Sequence, residues 1–328
     1  MSTRITRTEL GANDDGRRLD RIVRKYLPEI PLSRIYRALR SREITVNGKR
    51  VRGDTRVAEG DSLEIADSLR GARRAPAEAG DTASEIAGRI VHETGELLVV
   101  NKAWGELTHG EDSLETKVLR YLTGRGASGI SFRPGPVHRL DRNTSGLVVF
   151  GASLAGAQKA TEDLQAGRIV KRYVAILEGV VASDRWEDAL ERDTERRVTR
   201  TTGDKHETER EVRGKSRAKK AVTRVEPVAT AGNCSLVIAQ IDTGRTHQIR
   251  AQAAHHGHPL LGDRKYGSAA RGPYSLHAAT LSADDPDARV DFDHLVAPLP
   301  DRFRARVAEL FGDAVVERLE HILLNPPD

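Results

Sequence analysis

Residues 67–86, DSLRGARRAPAEAGDTASEI, hold Gly, Ala, Pro and charge with no apolar periodicity. A stretch of that kind gives no face to a core and reads as a linker. A chain cut there must bury two cores, and 328 residues suffice, since about 150 make a typical domain. The expected division is a small N-terminal domain over 16–66, the linker over 67–86, and a larger domain over 87–328.

Upstream of the linker, Leu19, Ile22, Val23, Tyr26 and Leu27 recur at helical spacing. After Pro31 the spacing returns in Leu32, Ile35, Tyr36 and Leu39, with Ser33 as the expected N-cap. Ile44 and Val46 then alternate with polar residues up to Asn47-Gly48, the dipeptide that favours a type I′ hairpin turn. Val51 falls on the returning side, and Val57, Leu63 and Ile65 continue the pattern. Two short helices followed by a small antiparallel sheet are expected.

Between Gly16 and Gly60 thirteen Lys/Arg stand against five acids, a balance of +8. The whole chain is +5, with 53 Lys+Arg and 48 Asp+Glu, so the remainder carries −3. A solvated helix face is the ordinary meaning of a charge run. A more than twofold excess of cations inside a folded unit is instead the footprint of a polyanion binder, because each neutralised phosphate releases condensed counterions. Arg17, Arg18, Arg34, Arg37, Lys49 and Arg50 are the expected nucleic-acid contacts.

Composition removes other classes. A single cysteine, Cys234, can form no intrachain disulfide, multi-Cys zinc site or Cys-ligated cluster, which points to a reducing cytosol. The N-terminus has no apolar h-region, and apolar runs reach about four residues where a spanning helix needs about twenty, so neither secretion nor a membrane is expected. With 38% AVILMFWYC and 29 Gly, wholesale disorder is excluded.

Beyond the linker, apolar or β-branched runs at Leu97–Val100, Leu147–Phe150, Tyr173–Leu177 and Leu236–Ile241 alternate with helical or loop-like segments. Residues 185–220 are dense in charge without apolar spacing and read as a long solvated loop or an extended hairpin. Phe303, Val307, Leu310, Phe311 and Val315 suggest one amphipathic helix packed on the body.

Two polar clusters could carry chemistry. The first, His138 to Gly146, precedes the buried-looking strand Leu147–Phe150. A carboxylate flanked by two arginines there suits a nucleophile or charge stabiliser better than a general acid, while a surface turn with a salt bridge accounts for it equally well. The second, Thr243 to Arg250, is followed by His255, His256 and His258. His247 with His255 or His256 does not match i,i+4 ligand spacing, so no metal is expected. Ser145 with His247 as a hydrolase pair lacks a G-x-S-x-G elbow.

RRLDRIVRKYLPEIPLSRIYRALRSREITVNGKRV resembles the RNA-binding fold known as the S-four domain, in its Arg18-Leu19-Asp20 start, its Ser33-Arg34 helix opening and its Val46-Asn47-Gly48 hairpin. That family often has Gly where this chain has Arg42. HRLDRNTSGLVVF resembles the signature of the RluA-type pseudouridine synthases. It is joined in the expected order by VVNKAWGELTHG, KRYVAILEG, TGRTHQIRAQAAHHGHPLLGDRKYG and SLHAATL, with Ala103 where the family usually has Pro.

The resemblance implies an α+β chain: a catalytic domain with a mixed, mainly antiparallel β-sheet flanked by helices and loops, beside a small N-terminal RNA-binding domain. The implied activity isomerises uridine in RNA to pseudouridine with no cofactor or metal, by way of an extruded nucleotide. Asp141 is the implied catalytic aspartate, and Arg245 is implied to pair with it. Tyr173 is implied to pack on the target base and Arg139 to fill the gap it leaves, with His138, Thr144 and Lys102 as further substrate contacts. SRIYRALR, the T-H-G of residues 108–110 and HRLDRNTSG look most like the RluC-type branch, so the expected partner is 23S ribosomal RNA or its precursor. Transfer RNA is the alternative substrate. A non-catalytic RNA-binding or ribosome-assembly protein and a metal-dependent phosphoesterase are the other classes weighed. A cytoplasmic monomer is expected.

Overall fold

The computed structural model describes residues 5–69, 82–124, 132–193, 198–202 and 218–325. Its N-terminal part runs β1 (Ile5–Glu9), α1 (Leu19–Tyr26), α2 (Leu32–Arg40), β2 (Ile44–Val46) and β3 (Ser62–Ala66). The strands form an antiparallel sheet in the order β1-β3-β2. The apolar stripes of the helices close over it, so that Leu19, Ile22, Val23, Ile35 and Leu39 share one core with Ile44, Leu63 and Ile65.

Several local expectations change. The unit begins before residue 16, because β1 pairs with β3 and Leu10 is buried. The N-cap of α2 is Pro31 and not Ser33, its carbonyl accepting from the Arg34 and Ile35 amides at 2.9 and 3.1 Å. Proline suits a helix entrance, where an amide donor would be unpaired anyway. Asn47 and Gly48 have φ of 51° and 71°, as a type I′ turn requires. The chain then leaves after Lys49, and β2 finds its partner in β3 instead of in a strand through Val51. Arg42 sits at φ 63°, the left-handed conformation that glycine adopts without strain.

Residues 70–81 of the expected linker lie outside the described residues. Its two ends are ordered: Leu69 belongs to the N-terminal core, and Ile86, on α3 (Thr82–Ala87), to the core of the body.

The body continues through β4 (Ile90–Glu93), β5 (Leu97–Lys102), α4 (Leu114–Gly124), β6 (Gly135–Pro136), β7 (Ser145–Gly151), α5 (Leu154–Ala166) and β8 (Val170–Glu178). It then forms β9 (Asp184–Asp193), β10 (Val198–Thr202), β11 (Lys219–Ala231), β12 (Cys234–Ile241), α6 (Gln248–His255), β13 (Leu276–Ser282) and β14 (His294–Val296). Two helices, α7 (Asp301–Phe311) and α8 (Asp313–Leu324), end it, where one was expected; the break is at Gly312. The sheet order is β10-β9-β11-β12-β8-β13-β7-β5-β4, with β14 on β13 and β6 on β7. Only β7 and β13 pair in parallel among these strands, so the sheet is mixed and mainly antiparallel, as expected. The four apolar runs are β5, β7, β8 and β12.

These strands are apolar on both faces because both faces are covered. Alternation sends Tyr173, Ala175 and Leu177 of β8 to the side of Ile249 and Ala253 on α6. Val174 and Ile176 point to the other side, onto Phe303 and Val307 of α7 and Leu319 of α8. Tyr173 and α6 thus share a face. The parallel contact aligns Ser145 with His277 and Gly146 with Ala278. A Cβ on Gly146 would fall 2.1 Å from the Ala278 carbonyl oxygen, which accounts for the glycine of the H-R-L-D segment. In the charged stretch, β9 and β10 pair antiparallel, with Trp186 and Leu190 of β9 turned inward, while residues 194–197 and 203–217 lie outside the described residues. No described helix is long and apolar enough to cross a membrane.

Candidate active site

Asp141 is set by the fixed ends of its loop. On one side Leu140 is buried and bonded twice to the Thr108 hydroxyl, which donates to its carbonyl at 3.0 Å and accepts its amide at 3.2 Å. On the other, the Thr144 amide donates to the Asp141 carbonyl at 3.1 Å just before β7 enters the core. With Leu140 inward, the Asp141 side chain is left at a cleft, 21% exposed.

The facing wall is the start of α6. Gln248 is buried and ties this turn to the sheet: its amide nitrogen donates to the Val222 carbonyl and the Thr223 hydroxyl, and its oxygen accepts from the Arg245 amide and the Thr243 hydroxyl, all within 2.8–3.0 Å. His247 takes φ 55° ahead of the helix, which sets its Nε2 3.7 Å from Asp141 and its Nδ1 2.7 Å from the Tyr266 hydroxyl. Burial lowers the His247 pKa even though Asp141 pulls the other way.

One turn inside α6 lies Arg250. Its Nη1 donates to Asp141 at 3.3 Å, while Nε and Nη2 clamp Asp263 at 2.7 and 2.9 Å. The guanidinium lies 4.8 and 4.6 Å from the ring centres of Tyr266 and Tyr274. Burial works against its charge, but Asp263, Tyr274 and Asp141 outweigh it and hold the arginine firmly protonated. Arg245, the expected partner of Asp141, instead donates through Nε to the Lys220 carbonyl at 3.1 Å and stays exposed at the cleft. The reason is helical geometry: Arg245 precedes α6, whereas Arg250 is on the face turned inward. The TGRTHQIR segment contains both arginines, and its spacing does not say which one the fold buries.

The cleft, about 60 Å³, brings together Arg139, Asp141, Thr144, Tyr173, Arg245 and Arg250. It does not include Lys102 or His138. Lys102 is fully buried and donates to the carbonyls of Ala103, Glu106 and Arg142 at 3.0, 2.7 and 3.1 Å, so its donors are taken by the fold. Burial lowers its pKa to about 8, against Glu106 and Asp141, which raise it. His138 accepts the Val149 amide on Nε2 at 3.1 Å, and burial with Lys171 nearby lowers its pKa to about 3. Both are structural pins of the loop. Burial, with the Asp141 charge, raises the Tyr173 phenol well above its ordinary range. Ser145 pairs with His277 at 2.9 Å and not with His247; Ser145 and His277 are both buried. Among the described residues no group of three or more His, Cys, Asp or Glu is placed to hold a metal ion.

In the N-terminal unit, a groove of about 530 Å³ is lined by Arg18, Arg40, Arg50 and Arg52 with Tyr36 and Val51. Arg18 and Arg50 were expected contacts; Arg40 and Arg52 were not singled out. Arg18 is bonded to Asp20 at 2.7 Å and Arg34 grips Glu43, so neither is a wholly unpaired cation. Arg37 and Lys49 are exposed and Arg17 half-buried, outside that groove.

Residues 96–255 match the family model of RNA pseudouridylate synthase, and residues 17–63 that of the S4 domain. The chain is 30% identical over 264 residues to ribosomal large subunit pseudouridine synthase C of Escherichia coli O6:H1, covering 78% of each. It is 29% identical over 328 residues to the protein of the same description from Yersinia pestis, covering 94% of this chain and 96% of the relative. The solved structure of human RNA pseudouridylate synthase domain containing 4 matches with a TM-score of 0.57 at 23% identity, over 70% of this chain and 95% of its own, a likeness of fold.

Proposed function

This chain belongs to the RNA pseudouridylate synthases, and on that premise we propose that Asp141 is its catalytic carboxylate and large-subunit ribosomal RNA its substrate. The observation that carries the reading is the Asp141 carboxylate held at a cleft by a buried, doubly clamped arginine. The relatives' description as large-subunit synthases supports the substrate.

The isomerisation breaks the bond from nitrogen 1 of uracil to the ribose, forms one from carbon 5, releases the carbon 5 proton and leaves nitrogen 1 carrying a proton taken from water, so product and substrate have the same composition. A stacked, paired uridine hides the glycosidic bond, and extruding it costs a few kcal/mol. Arg139, exposed at the cleft, fills the vacated place in the RNA. Asp141 acts at the reacting centre, and Arg250, itself buried, fixes the direction of its carboxylate through a charge-assisted contact. Tyr173 keeps its proton and forms the wall on which the base packs. Thr144 shapes the same wall, and Arg245 offers a cation at the mouth for phosphate. The N-terminal unit, from β1 to residue 66, serves as a separate RNA anchor through its basic groove, and 87–328 as the catalytic domain. One chain completes the cleft, which fits a monomer, and the lone Cys234 fits the cytosol.

The test is tritium release from 23S transcript carrying 5-tritiated uridine. The wild-type chain releases tritium, and Asp141→Asn binds the same RNA without release. Retained release by the variant overturns the aspartate, and release from transfer RNA but not from 23S transcript overturns the substrate.

A further inference from the structure

The loop that follows β5 is fastened with unusual thoroughness. The buried Lys102 ammonium gathers the carbonyls of Ala103, Glu106 and Arg142. The Gly105 amide donates to the Arg142 carbonyl at 2.9 Å, and Arg142 Nε returns a bond to the Gly105 carbonyl at 3.0 Å. Glu106 is held in turn by Arg89 and Lys117. Yet the side chains this loop turns outward are apolar: Trp104 and Leu107 are each 42% exposed. The guanidinium of Arg302, on α7, lies 4.7 Å from the Trp104 ring centre, and Arg302 and Arg142 are both exposed.

A rigid loop that presents an aromatic ring to water loses little entropy when something stacks on it. Cations beside the ring favour a polyanion, and base stacking on exposed aromatics is how proteins hold unpaired RNA. The loop is bonded to Arg142, the residue next to Asp141, which ties its position to that of the cleft. We infer that Trp104, with Arg302 over its ring and Arg142 bonded to the next residue, Gly105, is a stacking platform for an unpaired nucleobase of the RNA beside the target uridine. The inference rests on the reading of the chain as an enzyme acting on RNA. It adds a contact to the sequence around the target, outside the reacting centre.

The chain has two tryptophans, and the other, Trp186, is 2% exposed, so quenchable emission reports Trp104. The full chain is titrated with dodecauridylate and, separately, with a twelve-base-pair RNA duplex. Quenching by dodecauridylate that exceeds quenching by the duplex, and that disappears in Trp104→Phe, is expected. With 23S transcript, Trp104→Ala raises KM about tenfold, the scale of one lost base stack, and Trp104→Phe, which keeps a ring, recovers most of it. Unchanged KM in Trp104→Ala, or emission that ignores RNA, overturns the platform. Emission that shifts on dilution of the protein alone assigns the loop to a second copy and overturns it too. Quenching without tritium release from any RNA would sink the enzyme reading and leave the platform standing, whereas release with no quenching does the reverse.

Discussion

In the N-terminal unit the cations are many and open to water, Arg37, Arg40 and Arg50 among them, whereas in the body the guanidinium that meets Asp141 is enclosed by Asp263, Tyr266 and Tyr274. The first arrangement gives affinity without direction. Exposed cations interact weakly one by one and are screened by salt, so their effect grows with their number. The second gives direction without bulk affinity, because a buried charge persists only where its partners are fixed. The two regions divide the work between holding RNA and acting on it.

The largest expected effect breaks the comparison at Arg250. Arg250→Lys keeps the charge but cannot clamp Asp263 with two nitrogens while reaching Asp141 with a third. A fall of about 10³-fold in kcat is expected, of the order seen when a placed donor is lost, with unchanged circular dichroism and RNA affinity. A variant that turns over at the wild-type rate would mean that charge alone suffices there.

Acid separates the regions next. All 11 histidines fall after residue 66. Burial, with Lys171, takes His138 to about 3, and burial takes His277 to about 4 against the Ala297 carbonyl. Both rings fold neutral, so between pH 6.5 and about 4 the unfolded chain binds protons that the fold refuses, and stability falls as pH drops. The slope reaches about 1.4 kcal/mol per unit for each ring only well below 6.5 and is half that at 6.5 itself, so the body loses about 2 kcal/mol between pH 6.5 and 5.5. The N-terminal unit depends instead on Asp20 and Glu43, held below their ordinary range by Arg18 and Arg34, and keeps its stability through that window. Urea unfolding followed by tryptophan emission reads the body, since Trp104 and Trp186 both lie there; a midpoint equal at pH 7.5 and 5.5 would refute the histidine argument.

Deleting residues 1–66 is expected to weaken RNA binding about 100-fold at low salt and to flatten the slope of log affinity against log salt. Unchanged slope would move the anchor out of the basic unit. The smallest effect is local: Arg42→Gly relieves a left-handed residue and raises the stability of the N-terminal unit by about 0.5 kcal/mol, read by amide exchange over residues 19–65.

Much of this was legible along the chain because it is short-range. Apolar positions three and four apart make α1 and α2, Asn47-Gly48 makes its turn, and the two-sided apolar runs make β5, β7, β8 and β12. β1 was missed because its exposure alternates weakly in ITRTE and its partner lies more than fifty residues away. In the site, the Asp141 loop stood out as a polar cluster and Tyr173 was implied by the resemblance alone, while Lys102 and His138 carry polar side chains that the fold spends on backbone groups.

The sequence by itself determined the periodicities, the turn and the location of the positive charge, since each depends on neighbours within a few residues, while the segments that meet at the cleft were implied by the family resemblance. Only the tertiary structure decided that Arg250 and not Arg245 reaches Asp141, across 109 residues of chain. Burial is a property of the packed surface: the rotation of α6 against the sheet selects which arginine is enclosed, and that rotation is set by Gln248, Ile249 and Ala253 together with the strands they pack on.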